Sequence, residues 1–248
     1  MVANHLRFMR LTCDVGEGLD DVDRQILPLI DCASIACGGH AGDAATAQNC
    51  IVLALENRVA IGAHPSYPDR ANFGRLSQDL SEAELCASLA EQLQFIHSLC
   101  CAHSTQVAYV KPHGALYNDM MQRPGIYQTV LRSVAAFKRR NQLAGCKLLI
   151  QALPQVDRFV RCASQFGIDL WFEAFADRRY LNNGLLSSRA EPRAVIGDPA
   201  AVVEQAQNIA EGFVVTLEGE RLALDNVDCL CLHSDNPAAL SAAAVIRQ

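Results

Sequence analysis

The sequence of 248 residues lacks any uninterrupted apolar stretch of the roughly 18 to 20 residues that a membrane-spanning helix requires. Residues 1–10 also lack the apolar segment and the small-residue cleavage site of a secretion signal. The 21 lysines and arginines are scattered rather than gathered into a basic run, and the formal net charge is −6. These absences argue against membrane, secreted and nucleic-acid-binding proteins. We therefore expect a globular protein of the cytoplasm.

Two further absences limit the cofactor chemistry and the domain organisation. No G-x-x-x-x-G-K-[ST] loop occurs, so a nucleotide used by this protein is not held in a P-loop. No low-complexity tract, Gly/Ser-rich linker or internal repeat divides the chain. The sequence thus predicts a single domain spanning residues 1–248.

The eleven cysteines do not indicate a disulfide-rich protein. Their number is odd, and most lie in apolar segments typical of buried strands and helices, as Cys13, Cys37, Cys229 and Cys231 do. In a chain of this size, the pattern is typical of reduced thiols that pack as small hydrophobic side chains.

Short apolar runs alternate with longer helical patterns, and this alternation predicts repeated β/α units. The predicted strands span residues 10–15, 34–37, 59–63, 107–110, 148–152, 170–174 and 228–232. The predicted helices span residues 43–57, 81–101, 125–140, 155–166, 199–211 and 237–247. Residues 212–225 differ, because two short apolar segments flank a central glycine in the manner of a β-hairpin. Seven strands of this kind suit either a closed barrel or an open sheet, and periodicity alone does not decide between them.

Three helix starts carry recognisable capping residues. Ser81 and Glu84 have the spacing of a capping box. Asp198 and Asn236 each precede a proline, which is the preferred arrangement of an N-cap and the first helical position.

Ionisable residues follow the predicted strands. Four of the seven histidines, His40, His64, His113 and His233, come at or just after strand ends. The carboxyl ends of parallel strands meet at one face of a β/α fold, so these side chains are expected to converge on one active site. The same segments contain Asp14, Glu17, Lys111 and Asp177. The remaining histidines, His5, His97 and His103, are expected to lie outside the site.

Glycines accompany these residues at positions 16, 18, 38, 39 and 42. Such glycines let the backbone approach a ligand and direct N–H groups at a phosphate or carboxylate, although ordinary turns also use them. Asp14 with His40, His64 and His113 offers donor types that suit zinc or another divalent metal. No close H-x-x-x-H or C-x-x-C pair is present. We therefore expect no resident catalytic metal, while the donor set leaves that alternative open.

A series of loop motifs occurs in order along nearly the whole chain. The motifs are Asp14-Val-Gly-Glu-Gly, Ala36-Cys-Gly-Gly-His-Ala-Gly-Asp, Ile61-Gly-Ala-His-Pro, Asn72-Phe-Gly-Arg, Val110-Lys-Pro-His-Gly-Ala-Leu-Tyr-Asn, Glu173-Ala-Phe-Ala-Asp-Arg and Leu232-His-Ser-Asp-Asn-Pro. Together they resemble the LamB/YcsF family of 5-oxoprolinase A subunits. Two departures occur: Ser234 stands where a glycine is usual, and Ala190-Glu-Pro-Arg193 stands where Ser-Glu-Pro-Gly is common. The serine is expected to perturb a tight turn beside His233.

The resemblance implies a single-domain, seven-stranded, TIM-like β/α barrel of the glycoside hydrolase/deacetylase type. It implies cleavage of 5-oxoproline to L-glutamate, coupled to hydrolysis of ATP to ADP and phosphate, with ATP and Mg²⁺ as co-substrate. It also implies a complex with the 5-oxoprolinase subunits B and C, and it leaves homo-oligomerisation open.

Two sets of site residues are expected on this basis. The catalytic set is Asp14, Glu17, His64, Lys111 and His113. The substrate-binding set is His40, Asp43, Tyr117, Asn118, Glu173, Asp177, Arg178, His233, Asp235 and Asn236. Two other functions suit the same residues: a metal-dependent deacetylase or amidase on the same barrel, and a non-catalytic protein that binds a small carboxylate for its partners.

Overall fold

The computed structural model describes residues 9–224 and 226–247. The strands are β1 (Arg10–Val15), β2 (Cys32–Ala36), β3 (Ala60–His64), β4 (Tyr109–Val110), β5 (Lys147–Gln151), β6 (Leu170–Phe175), β7 (Phe213–Val215), β8 (Arg221–Ala223) and β9 (Cys229–His233). The helices are α1 (Asp20–Ile26), α2 (Ala44–Glu56), α3 (Glu82–Ala102), α4 (Gly114–Gln122), α5 (Pro124–Arg140), α6 (Asp157–Gln165), α7 (Pro199–Ala210) and α8 (Pro237–Ile246).

Seven parallel strands close into a barrel in the order β1-β2-β3-β4-β5-β6-β9. The choice between a closed barrel and an open sheet, which periodicity left open, is thus the closed barrel. Every predicted strand and helix is present within two residues of its predicted bounds. Strands β7 and β8 pair in antiparallel fashion as the hairpin predicted for residues 212–225, although Asp225 lies outside the described residues. The prediction of one domain over residues 1–248 stays a prediction.

The sequence analysis missed two helices. Helix α1 has only seven residues, which is too short for a helical period to be visible. Helix α4 begins at Gly114, whose φ of 58° and neighbouring proline and histidine are typical of a loop. Both helices follow strands at the carboxyl end of the barrel, and α4 carries residues of the candidate site.

The predicted helix caps are confirmed. The Ser81 side chain accepts a hydrogen bond from the Glu84 amide, and the Glu84 carboxylate accepts one from the Ser81 amide. The side chains of Asp198 and Asn236 accept hydrogen bonds from backbone amides in the first turns of α7 and α8. Such caps satisfy donors that a helix start otherwise leaves free.

The amino end of the barrel interior is filled with apolar and aromatic side chains. Buried Cys32, Tyr109, Leu149 and Cys229 form one cluster, against which Trp171 packs. Gly62 of β3 lies against the ring of Tyr109, and a Cβ at this position would collide with the ring. The packed end is a floor beneath the polar carboxyl end.

The outer core lies between the strands and the helices. All eleven cysteines are free thiols, and eight of them are buried, which confirms their prediction as packing residues.

None of the helices in the two described ranges combines the length and the apolar character needed to span a bilayer.

Candidate active site

A cavity of about 620 Å³ lies at the carboxyl ends of the strands. Its lining comes from the ends of five barrel strands and from the irregular segment 176–198 that follows β6. The ionisable residues in its lining are Asp14, Glu17, His64, Arg75, Lys111, His113, Arg178, Arg189, His233 and Asp235. Its volume is in the range usual for small-molecule sites.

Lys111 is the centre of the buried charges in this cavity. Its Nζ lies 2.7 Å from Asp14 Oδ1 and 3.1 Å from Glu173 Oε2. Glu173 is fully buried inside β6, where its Oε1 accepts a hydrogen bond of 2.7 Å from Thr12 on β1. Tyr117 on α4 points its hydroxyl at the same carboxylate from 3.5 Å. One ammonium therefore faces two carboxylates in a site that excludes most solvent.

Burial and pairing act in opposite directions on these groups. Burial alone would raise the pKa of Asp14, but the nearby His64 and Lys111 outweigh it and hold that pKa well below its usual value. Burial raises the pKa of Glu173 in spite of its contact with Lys111. Burial would lower the pKa of Lys111, yet Asp14, Cys231 and Glu173 raise it well above its usual value. Asp14 and Lys111 are thus an ion pair at neutral pH.

Three of the predicted histidines form a cluster beside Asp14. The rings of His40 and His113 stack with centroids 3.7 Å apart, and His64 Nε2 lies 3.0 Å from His113 Nδ1. Glu17 Oε1 lies 2.9 Å from His40 Nε2 and 3.1 Å from His113 Nδ1. Asp14 Oδ2 lies 3.3 Å from His64 Nε2, which joins this cluster to the lysine.

Burial opposes the charged form of two of these rings. Burial lowers the pKa of His40 to about 4, although its hydrogen bond to Glu17 acts the other way. Burial also lowers the pKa of His113, again against the influence of Glu17. The close contacts with His113 and His40 outweigh burial at Glu17 and hold the pKa of that carboxyl well below its usual value.

His233, the last residue of β9, pairs with Asp177. Parallel register places it opposite Asp14, and its Nδ1 lies 2.9 Å from Asp177 Oδ1. Its ring stacks on Phe175 with centroids 5.7 Å apart. The four predicted histidines therefore lie together at one end of the barrel, as the topology required.

Arginines dominate the mouth of the cavity. Arg178 is buried, donates one hydrogen bond to the Ser187 carbonyl, and has no hydrogen-bond partner for Nε within the described residues. Burial, together with the charge of Arg189, lowers the pKa of Arg178 to about 10. At the rim, Arg75 and Arg189 both pair with Asp235, at 2.8 and 3.0 Å. This positive rim favours an anionic ligand.

Three of the predicted substrate-binding residues differ in how they relate to the cavity. Asp43 is exposed and caps α2 by accepting a hydrogen bond from the Thr46 amide, so it lies outside the cavity lining. Asn236 is the N-cap of α8, although its side chain also reaches Asp177 at 3.4 Å. Asn118 is an exposed residue of the cavity lining.

Two of the glycines after β1 and β2 have their amides engaged in local turns. The Gly16 amide donates to Asp23 Oδ2 at 2.8 Å, and the Gly38 amide donates to the Ala41 carbonyl at 2.9 Å. Both glycines have positive φ, at 75° and 88°, so they are needed for the turns themselves. The turn interpretation holds for these two positions.

Ser234 does not perturb its turn. It does not require the positive φ that favours glycine, and its hydroxyl donates to the Asp14 carbonyl at 3.0 Å. The departure from the usual glycine thus adds a link between the loops after β9 and β1.

Sequence reasoning missed several residues of the site. Thr12, which contacts Glu173, and Arg189, which lines the cavity, carry no motif that marks them and join the site only because the barrel closes. Phe175 also lines the cavity and stands inside the motif Glu173-Ala-Phe-Ala-Asp-Arg, which was a signal for it. Arg75 belongs to the motif Asn72-Phe-Gly-Arg, which was a signal for it. His97 and His103 lie outside the cavity lining, as expected, and His5 lies outside the described residues.

A seven-stranded parallel β/α barrel with paired charges and histidines in a cavity at its carboxyl end defines a class of small-molecule site. Within that class, the sequence pattern of the LamB/YcsF family matches residues 9–248. The chain belongs to the LamB/YcsF family.

Relatives of known name cover nearly the whole chain. A protein of Vibrio cholerae serotype O1, named as the A subunit of 5-oxoprolinase, is 40% identical over 253 residues, covering 97% of each chain. A protein of Pseudomonas putida, named as a second 5-oxoprolinase A subunit, is 43% identical, covering 96% of this chain and 92% of the relative. The crystal structure of a lactam utilization protein from Thermus thermophilus has a TM-score of 0.83 at 32% identity, covering 96% of this chain and 94% of the other.

Proposed function

We propose that this chain is the A subunit of an ATP-hydrolysing 5-oxoprolinase, which opens 5-oxoproline to L-glutamate in a cytoplasmic complex with subunits B and C. The buried Lys111 beside Asp14, at the base of a 620 Å³ cavity, is the observation that carries the proposal. The names of relatives about 40% identical over the whole chain support the same activity.

The chemistry of the substrate explains the need for ATP. A five-membered lactam resists hydrolysis because amide resonance must be lost and the released amine can close the ring again. Transfer of a phosphoryl group from ATP to the lactam oxygen activates the ring carbon. One water then adds to this carbon and the ring C–N bond breaks, which gives the free amine and an acyl phosphate, and a second water hydrolyses the acyl phosphate to the carboxylate and phosphate. Overall, 5-oxoproline, ATP and two water molecules give glutamate, ADP and phosphate. The chain has no P-loop, so ATP is held by another kind of site or by a partner subunit.

The cavity offers a cation for each negative charge of such a substrate. Lys111 is placed to stabilise charge that develops on the lactam oxygen or on its phosphorylated form. Arg178 is buried in the lining without an ion-pair partner among the described residues, which makes it the favoured ligand of the substrate carboxylate. Burial strengthens both interactions because solvent screening is weak there.

The attacking water requires a group that orients it and takes its proton. Asp14 or Glu17, assisted by His64 or His113, meets this requirement, since all four line the cavity. Both carboxyls have lowered pKa values, so they are ionised at neutral pH and available as hydrogen-bond acceptors.

The test is an assay of glutamate and ADP release from 5-oxoproline and MgATP. We expect little turnover by the purified chain alone and robust turnover once the partner subunits are added. Asp14→Asn should lower the turnover of the complex at least about a hundredfold, the lower scale for loss of a positioned acid–base group. Asp79→Asn makes the same change at an exposed loop residue and serves as the matched control.

Two outcomes would overturn the proposal. Normal turnover in the Asp14→Asn complex, with substrate binding intact, would indicate a non-catalytic carboxylate-binding protein. Metal-dependent deacetylase or amidase activity by the chain alone, without any 5-oxoproline turnover in the complex, would establish the rival enzyme. The cluster of three histidines and Glu17, whose donor atoms could hold a metal ion, is the observation that supports this rival function.

A further inference from the structure

Four side-chain atoms converge on one point at the edge of the cavity. They are Glu17 Oε1, His40 Nε2, His64 Nε2 and His113 Nδ1, and all lie within 4.8 Å of one another. Glu17 Oε1 is 2.9 Å from the His40 nitrogen, 3.1 Å from that of His113 and 3.8 Å from that of His64. We call these four residues the histidine–glutamate cluster.

Two of the three rings have fixed tautomers. His64 Nδ1 lies 2.7 Å from the backbone carbonyl of Lys111, and His113 Nε2 lies 3.0 Å from the carbonyl of Phe73. A carbonyl oxygen only accepts hydrogen bonds, so each of these outer nitrogens carries a proton. Unless one of these rings carries a second proton, the inner nitrogens of His64 and His113 therefore present lone pairs to each other and to Glu17.

These two inner nitrogens face each other at 3.0 Å. Two lone pairs at this distance repel each other unless a positive charge lies between or beside them. A shared proton or a metal cation removes the repulsion. Hydrogen bonds from the outer ring nitrogen to a backbone carbonyl are also the usual support of metal-binding histidines.

The spacing suits a metal ion. Ligands about 2.0–2.1 Å from a tetrahedral zinc ion are about 3.3 Å from each other. The four measured separations in the cluster, from 2.9 to 3.8 Å, lie around this value. Most of these side chains would therefore need only small movements to hold a cation, whereas the ring of His40, stacked parallel to that of His113, would have to turn so that both nitrogens direct their lone pairs at the same ion.

The local charge balance also favours a cation. Asp14 and Glu17 lie beside the rings, and the lysine that pairs with Asp14 is shared with Glu173. The carboxylates thus outnumber the ammonium group around the cluster. Three imidazoles and one carboxylate are donors that prefer zinc and similar transition metals to magnesium.

We propose that Glu17, His40, His64 and His113 bind one divalent transition-metal ion of the zinc class. Glu17, His64 and His113 also line the cavity, so the ion would be within reach of a ligand there. From the sequence alone no resident metal is expected, because no close histidine pair is present. Barrel closure brings His40, His64 and His113 together. This inference concerns binding alone and does not depend on the proposed reaction; an ion held by Glu17, His64 and His113 would leave Asp14 as the group that takes the proton of the attacking water.

Equilibrium dialysis of the full chain against Zn²⁺ or Co²⁺, with Mg²⁺ as the comparison ion, tests the proposal. We expect one Zn²⁺ or Co²⁺ per chain and no comparable binding of Mg²⁺. His64→Gln and His113→Gln should each weaken Zn²⁺ binding at least about a hundredfold, which is the upper scale for loss of a supporting group. His40→Gln should weaken it least, because His40 Nδ1 has no hydrogen-bond partner in the described part of the chain and its ring is less constrained.

His103→Gln removes a histidine outside the cavity and is the matched control. Circular dichroism must show that each variant is folded, and Glu17→Gln replaces any histidine variant that is not. Absence of bound Zn²⁺ from the wild-type chain would mean that a proton, not a metal, lies between the two rings. Binding that persists in the histidine variants and disappears after thiol alkylation would assign the metal to cysteines. Either result would overturn the proposal.

Discussion

The two ends of the barrel interior are built by the same strands and filled with opposite kinds of side chain. On β4, Tyr109 belongs to the apolar floor, and Lys111, two residues later, lies among the cavity charges. On β6, Trp171 packs against the floor, and Glu173, two residues later, contacts the lysine. A separation of two residues is one step along the same face of a strand. The change from packing to chemistry thus takes place over a single layer of side chains.

The difference shows how the site is supported. Desolvated charges weaken a fold unless each has a partner, whereas apolar and aromatic packing stabilises it. The floor therefore supplies stability that the charged end does not. Variants at the floor should change unfolding more than turnover, and variants at the charged end should affect turnover most.

The largest effect is expected for Lys111→Met, which keeps the length of the side chain and removes its charge. Asp14 and Glu173 would then remain buried without their shared partner. Breaking a buried ion pair costs about 3–5 kcal/mol of stability. We expect a loss of this size in urea unfolding, with turnover of the complex at least about a hundredfold lower.

A double variant separates the two effects. Adding Glu173→Gln to Lys111→Met removes one uncompensated carboxylate, so part of the lost stability should return while turnover stays low. Unchanged stability in the single variant would mean that the charged end does not depend on the lysine, and the contrast between the two ends would be lost.

An intermediate effect is expected for Gly62→Ala at the floor. The added methyl group would collide with the ring of Tyr109, which is fully buried and has no room to move. Overpacking of this kind destabilises by about 1–3 kcal/mol, and the rigid surroundings favour the upper end. Urea unfolding measures the loss, and turnover per folded molecule should change little.

Gly125→Ala is the matched control, because a Cβ at Gly125 meets no atom within 4 Å and alanine favours the helix there. A Gly62→Ala protein with full stability but impaired turnover would reverse the roles assigned to the two ends.

The sequence predicted the barrel better than it predicted the site. Apolar periodicity placed all seven barrel strands, because strand burial leaves a direct pattern in the sequence. The convergence of His40, His64 and His113 followed from topology alone. Thr12 and Arg189 were missed, since their positions depend on barrel closure and on an irregular segment without a repeating pattern. Asp43 was placed in the site because it ends a motif, although helix capping explains its residue type.

The smallest effect on stability is expected at Asp23, which holds the turn before Glu17 at the charged end of the barrel. Its Oδ2 accepts the Gly16 amide hydrogen bond in the turn that carries Glu17, and Oδ1 is buried without a partner in the described residues. Burial raises the pKa of Asp23 from 3.8 to about 6, and the nearby Glu17 and Asp20 act in the same direction. The folded state therefore prefers the neutral acid. The resulting stabilisation is complete below pH 3.8 and is lost as the pH rises through about 6.

Asp23→Asn removes this titration and keeps an oxygen that can accept the Gly16 hydrogen bond. The unfolding free energy of the variant relative to the wild type should therefore increase by about 2 kcal/mol between pH 4 and pH 7, since one pKa unit corresponds to about 1.4 kcal/mol. The lowered pKa values of His40 and His113 act oppositely, because they reduce stability as the pH falls, but they are present in both proteins and cancel in the difference. Urea unfolding at several pH values measures that difference. Parallel pH profiles for the two proteins would show that folding does not raise the pKa of Asp23, and burial of this carboxyl would then not favour its neutral form.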